Sequence, residues 1–158
     1  MLSLDQTDIA IIRVLQSDGR MSNRDLANAV GVSPSTALER TRLLKRRGII
    51  AGTSLDVNLG LIGRPVQALI AVRIRPPSRR NIEAFRSWVA KLPETVGVFV
   101  VSGNEDFLIH IAVAANDDLY AFVIDRLTER PEVVDVRTSV VYEHIKIARV
   151  DPVMPIDH

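Results

Sequence analysis

Helix, tight turn, helix is the pattern that most narrows what this chain can fold into. Ser22 can cap a helix over Asn23 to Val30, with Leu26, Ala27 and Val30 on its apolar side and Gly31 closing it. Only Val32 and Ser33 then separate it from a second helical run that reaches Gly48. In that run Ser33 can cap the first free amides, and Pro34 suits the first helical position, where no N–H is needed. Gly48 supplies a left-handed stop. At about 100° per residue, Ala37, Leu38, Thr41 and Leu44 gather on one side. The opposite side carries Ser35, Thr36, Glu39, Arg42, Leu43 and Arg46. Upstream, Ser3-Leu4-Asp5-Gln6 has the spacing of a capping box, and Ile9, Ile12 and Leu15 follow at helical intervals until Asp18-Gly19. The first helix thus supplies a third wall to a small core, and the last two read as a helix-turn-helix.

Charge is distributed as a DNA-contacting module requires. Five of the eight residues before Gly48 are basic, namely Arg40, Arg42, Lys45, Arg46 and Arg47. The formal net charge of the chain is only +1, but residues 1–50 hold eight Lys/Arg against five Asp/Glu. The excess of base therefore lies in the N-terminal part. On the second helix of the pair, Ser35, Thr36 and Glu39 are expected to face base edges, with Arg42 and Arg46 nearer phosphates. Ser33 and Arg40 belong to the same candidate surface, and Arg24 on the preceding helix is a further backbone contact. The expected partner is double-stranded DNA, at a roughly palindromic site if the protein is a two-fold dimer. The alternative is an effector-binding or assembly module without specific DNA binding. A steep salt dependence of DNA affinity separates the two.

Beyond Gly48 the pattern changes. Ile49, Ile50 and the alternation Ser54-Leu55-Asp56-Val57 predict a short strand leaving the module. Asn58, Gly60, Gly63 and Pro65 then mark a hinge. Strands are expected over Val66 to Ile74, Val96 to Val101, Phe107 to Val113 and Val133 to Tyr142. Helices are expected from Ser78 through Leu92, and from an Asn116 cap through Arg130. The order is β-α-β-β-α-β, the ferredoxin-like plan of four antiparallel strands with both helices on one face, so the fold class is α+β. The corresponding divisions are 1–52 for the DNA-binding domain and 53–65 for the linker. The ferredoxin-like domain follows over 66–148, with a tail over 149–158. Strands covered on one face only should alternate apolar and polar, yet Val98 to Val101 and Phe107 to Ile109 are continuously apolar. No second helical layer remains in the chain, so another copy of it is the economical cover for the other face.

Cysteine is absent, which excludes disulfides and thiolate metal sites, and a cytoplasmic location is natural. No secretion signal or membrane span is readable. Phosphate-loop and dinucleotide glycine patterns are missing, and no His/carboxylate cluster has metal-ligand spacing. No catalytic residue, metal or cofactor is expected. His110 and His144 read as structural.

The two halves together resemble the Lrp/AsnC (leucine-responsive, feast/famine) family of transcription regulators. The resemblance is carried by Leu4-Asp5-x-x-Asp8-x-x-Ile11-Ile12, Asp18-Gly19-Arg20, Leu26-Ala27, Gly31-Val32-Ser33, Arg40-x-x-x-Leu44-x-x-x-Gly48-Ile49-Ile50, Gly63 and Ser102-Gly103-x-x-Asp106-Phe107. It implies a winged helix-turn-helix joined to a ferredoxin-like effector-binding and oligomerisation domain, with dimers joined through the C-terminal sheets and assembling further, commonly to tetramers or octamers. It also implies a small effector, usually an amino acid, held between dimers. By that likeness the effector residues are Ser102, Gly103, Asn104 and Asp106, with Thr138 and Ser139 from a neighbouring subunit. Asn58 stands where the family often has proline, and Ser102 and Phe107 where Thr and Tyr are frequent. The chemistry of the turn points the same way. Gly103 permits a backbone that exposes N–H groups to a carboxylate, and Asp106 offers a counter-charge for an ammonium. An ordinary hairpin turn, in which Asp106 only accepts backbone hydrogen bonds, is the other reading.

Overall fold

The computed structural model of the chain describes residues 4–153. Two compact units are present: residues up to Leu55 together with the segment from Ile145 onward, and Asp56–His144.

The first unit is built from α1 (Gln6–Ser17), α2 (Asn23–Val30) and α3 (Pro34–Arg46). Ser3, expected to open the first helix, lies outside the described residues. Asp5 is the cap of α1, and a reciprocal pair closes it: the Asp8 N–H donates to Asp5 Oδ1 at 2.8 Å and the Asp5 N–H to Asp8 Oδ2 at 3.4 Å. Ser22 and Ser33 cap α2 and α3 as expected, accepting from the Asp25 and Thr36 amides. Gly31 and Gly48 both have left-handed φ, 75° and 72°, which turn the chain without a Cβ penalty. The core comprises Ile11, Leu26, Ala27, Ala37 and Leu44. Ile11 is fully buried, whereas Ile12 is only packed at its margin, because the apolar stripe of α1 runs one residue earlier than the expected one.

The expected wing strand over 54–57 is not formed; among the described residues no strand precedes Val66. Leu55 and Val57 are exposed. A single extended segment has no ladder partner on its own, so alternation alone does not make it a strand. The hinge itself is ordered by Asn58, whose Oδ1 accepts from the Leu61 N–H at 3.1 Å while its carbonyl accepts from the Ile62 N–H. Arg64 fixes the end of the hinge to the second unit by donating to the Pro93 and Ala112 carbonyls.

The second unit holds β1 (Val66–Ile74), α4 (Arg79–Val89), β2 (Thr95–Val100), β3 (Phe107–Val113), α5 (Asn116–Ala121) and β4 (Val133–Val141). The sheet order is β2-β3-β1-β4 with every pairing antiparallel, the ferredoxin-like topology. Ala68, Ile70, Val72 and Ile74 of β1 share one face with Phe107, Ile109, Ile111 and Val113 of β3. There they bury Phe85 and Val89 from α4 and Leu119 from α5. Phe85 stacks obliquely on Phe107 at 4.7 Å between ring centroids.

The second helix departs from expectation. Ala115, not Asn116, occupies the cap position of α5, and Asp118 Oδ2 accepts from the Ala115 N–H at 3.0 Å. Past Ala121 the helix widens into a π-helical segment, Phe122–Leu127, in which the Thr128 N–H reaches the Val123 carbonyl. Phe122 and Leu127 are both buried. Five residues apart on a regular α-helix they would point about 140° away from each other. A wider turn brings both onto the core.

The face of the sheet away from the helices carries two register rows, Phe99–Leu108–Ala71–Arg137 and Gly97–His110–Leu69–Ser139. Phe99 and Leu69 are exposed there. No helix of this unit packs on that face.

Candidate DNA-binding and effector sites

The exposed polar side of α3 is organised by its own cap. Ser33 Oγ accepts from the Thr36 N–H at 3.1 Å and lies 2.9 Å from Ser35 Oγ and 2.8 Å from Thr36 Oγ1. Asn23 Nδ2 donates to the Pro34 carbonyl at 2.7 Å, tying the start of α2 to the start of α3. Ser33, Ser35, Glu39, Arg42 and Arg46 are exposed, as is Arg24 on α2; Thr36 is half-buried. These side chains therefore share a solvent-facing polar surface around the tight turn.

Arg40 differs from the others. Its Nη1 lies 2.7 Å from Asp5 Oδ2 and 3.4 Å from Asp8 Oδ1, so the guanidinium is held against the start of α1. Asp8 is 3 % exposed, the one buried charged residue among those described. A buried carboxylate without a partner is costly, and Arg40 and the Asp5 amide supply its partners. The Asp5–Asp8–Arg40 group was not singled out in the sequence, although an Asp embedded beside Ile9, Ile11 and Ile12 is a readable sign of a buried pair.

The Asp8 amide holds the Asp5 carboxyl below its ordinary value of 3.8, opposed by burial and helped by the charge of Arg40. A carboxyl depressed in the folded state contributes stability that is present above the unfolded value and lost as pH falls through the folded one. The N-terminal module is accordingly expected to lose stability below about pH 4. Asp5→Asn should flatten that part of an acid-denaturation curve followed by helix circular dichroism.

The hairpin between β2 and β3 carries the expected effector residues. Gly103 has φ 133°, and Ser102, Gly103 and Asn104 are exposed. Asp106 is committed elsewhere: its Oδ2 accepts from the Ile74 N–H at 2.8 Å and lies 3.5 Å from Arg75 Nη1, while its N–H donates to the Val72 carbonyl. This carboxylate joins the hairpin to the end of β1. Arg73 Nε donates to the Asn104 carbonyl at 2.5 Å, and Arg137 pairs with Glu105 at 2.9 Å. Three arginines that the sequence did not single out thus frame the turn. Their signal was present in the Arg73-x-Arg75 spacing at the end of β1, but only the hairpin's return places the acids beside them. Thr138 is paired with Ile70 and Ser139 with Leu69, so their side chains project to opposite faces of the sheet.

A helix-turn-helix with an exposed basic surface, joined in one chain to a ferredoxin-like domain, defines a DNA-binding transcription regulator with a ligand-binding domain. The chain matches the AsnC-type helix-turn-helix domain over residues 4–45 and the Lrp/AsnC ligand binding domain over residues 67–151. It belongs to the Lrp/AsnC family. Among its relatives, the HTH-type transcriptional regulator AldR of Mycobacterium tuberculosis is 34% identical over 143 residues, covering 90% of this chain and 80% of that protein. The leucine-responsive regulatory protein of Escherichia coli is 34% identical over 143 residues, covering 90% and 87%. A transcriptional regulator from Neisseria meningitidis, solved as a complex with L-Met, superposes with a TM-score of 0.84 at 33% identity, covering 92% of this chain and 94% of that one. Among the described residues no helix is long and apolar enough to cross a membrane.

Proposed function

We propose that the protein binds a roughly palindromic duplex site as a homodimer, through paired α3 helices, and that a small amino acid bound at the 102–106 hairpin shifts its assembly. The observation that carries the DNA reading is the exposed, Ser33-capped polar face of α3 with Arg42 and Arg46 at its cationic end. In this reading Ser35, Thr36 and Glu39 approach base edges, Ser33 presents the N-terminus of α3, and Arg42, Arg46 and Arg24 hold phosphates. Arg40 takes a positioning role, because Asp5 and Asp8 already occupy its guanidinium. Half-sites are then about 34 Å or a multiple of it apart. The protein works where DNA is, in the cytoplasm, and no catalytic step belongs to this function.

Arg46→Ala is expected to weaken binding to all duplexes alike and to lower the slope of log affinity against log salt by about one. Thr36→Ala should instead relax the preference at particular bases. Titration of specific and random duplexes at several salt concentrations separates these effects. If neither variant changes DNA affinity, α3 is not the reading helix.

The effector reading rests on the exposed Ser102-Gly103-Asn104 turn and on relatives named for leucine and solved with L-Met. Ser102, Gly103 and Asn104 would take the ligand directly, with Thr138 or Ser139 reaching it from a neighbouring subunit. A ligand seated between subunits binds only the assembled form and so favours it by mass action. The dimer itself is assigned to the open sheet face, where Phe99, Leu108 and Leu69 lack a covering layer of this unit. Light scattering at micromolar concentration that returned a stable monomer would remove that assignment, and isothermal titration with the twenty amino acids identifies the effector.

A further inference from the structure

In the middle of the open sheet face stands a polar cluster that neither DNA binding nor the effector turn uses. His110 lies on β3, one of the two central strands, with Leu69 opposite it on β1 and Gly97 opposite it on β2. Its Nε2 is 3.0 Å from Gln67 Oε1, and its ring meets that of His144 edge-on at 5.5 Å between centroids. Leu69, Leu108 and Phe99 on the same face are apolar. We propose that His110, with His144 beside it, makes self-association of this sheet face proton-linked, so that the assembled form is favoured with both imidazoles neutral and weakened when they are charged.

The argument is one of placement. It rests on the dimer reading given above, in which a second copy covers this face. A residue at the centre of a two-fold sheet contact leaves water on association, together with its symmetry mate. Desolvation disfavours the charged form of an imidazole. The neighbouring His144 adds like-charge repulsion when both rings are protonated. Groups facing His110 from the surrounding elements include Gln67 and Leu69 of β1, Gly97 of β2 and His144 after β4. Arg73 and Arg137, with Glu105 and Asp135, are charged groups toward the 102–106 hairpin. Histidine is the side chain whose ordinary titration falls between about pH 5 and 8.

The sign follows from linkage. An imidazole whose pKa is lower in the assembled state than in the free protomer releases its proton on association. Assembly is then fully supported above the free value and weakened as pH falls below it. A dimer with one such group per protomer takes up as many as two protons on dissociation, and the His144 pair raises that limit.

Sedimentation velocity of the full chain across pH 5.5 to 8, at fixed ionic strength, provides the test. The dimer dissociation constant is expected to rise at least tenfold from pH 8 to pH 5.5. His110→Gln, which retains a hydrogen-bonding side chain but cannot titrate, should hold it nearly constant. His144→Gln, altered after the last strand, should give a shallower slope than the native chain even if the His110 variant does not fold. A dimer whose dissociation constant is flat in pH, or equally steep in both variants, overturns the inference and leaves the dimer reading standing. A monomer at every pH overturns the dimer reading as well.

Discussion

Leu44→Ala is expected to unfold the DNA-binding module while leaving the effector domain folded. Leu44 is 1 % exposed on α3 and belongs to a core of five buried residues among those described, against which Val32, Ile49 and Ile50 pack from the flanking turns. Truncating a buried leucine costs about 2–5 kcal/mol, the sum of lost transfer energy and the cavity left behind. A three-helix core of this size has little stability to spare, since small domains bury a smaller fraction of their surface. The helices most affected are those that present Ser35, Thr36 and Arg46, so duplex binding should be lost altogether. The effector domain's core shares no residue with this one. Amide exchange should therefore show fast exchange across Gln6–Arg46 and continued protection of β1 and β3. Loss of protection in both units together would show that the two cores unfold as one.

Asp106→Ala is expected to reduce the stability of the effector domain and to abolish the effector response along with it. The Asp106 carboxylate is 24 % exposed and accepts from the Ile74 N–H, the last ladder residue of β1. Removing an acceptor from a partly buried backbone amide costs about 1–3 kcal/mol. Its ion pair with Arg75, a side chain 49 % exposed, adds little by comparison. The lost bond also removes one of the ties between the hairpin and β1, so the exposed turn at Ser102-Gly103-Asn104 is held less firmly. Asp106→Asn distinguishes a positioning carboxylate from a ligand-binding one, because its amide oxygen can still accept from Ile74 while the charge is gone. If Asp106 positions the turn, the Asn variant keeps both thermal stability and amino-acid affinity. If Asp106 meets an ammonium directly, the Asn variant keeps stability and loses affinity. Thermal unfolding of the unliganded proteins beside calorimetric titration reads both quantities.

The caps of α2 and α3, the tight turn and the order of elements along the chain were legible in the sequence because each depends on neighbours within a few residues. Ser22, Ser33, Gly31 and Gly48 act within one helical turn, and β1 began and ended where its Val66–Ile74 run did. The α+β class followed from the order of such local signals. What pairs across long separations was not legible. Asp8 met Arg40, Asp106 met Ile74 and Arg75, and Arg137 met Glu105, each about thirty residues apart in the chain.

Two local expectations failed for the same reason, that tertiary context overrides pattern. The alternation over 54–57 found no strand to pair with, and the helix begun at Asn116 widened so that Phe122 and Leu127 could both reach the core. The sequence by itself determined which segments could be helices and strands and that one helix carried a cationic, polar face, because those properties reside in residue type and spacing. Only the tertiary structure decided which charges were free to act. Arg42 and Arg46 remain in solvent, whereas Arg40 and Asp106 are already bound to the protein's own groups, and a buried or half-buried charge takes the nearest partner the fold provides.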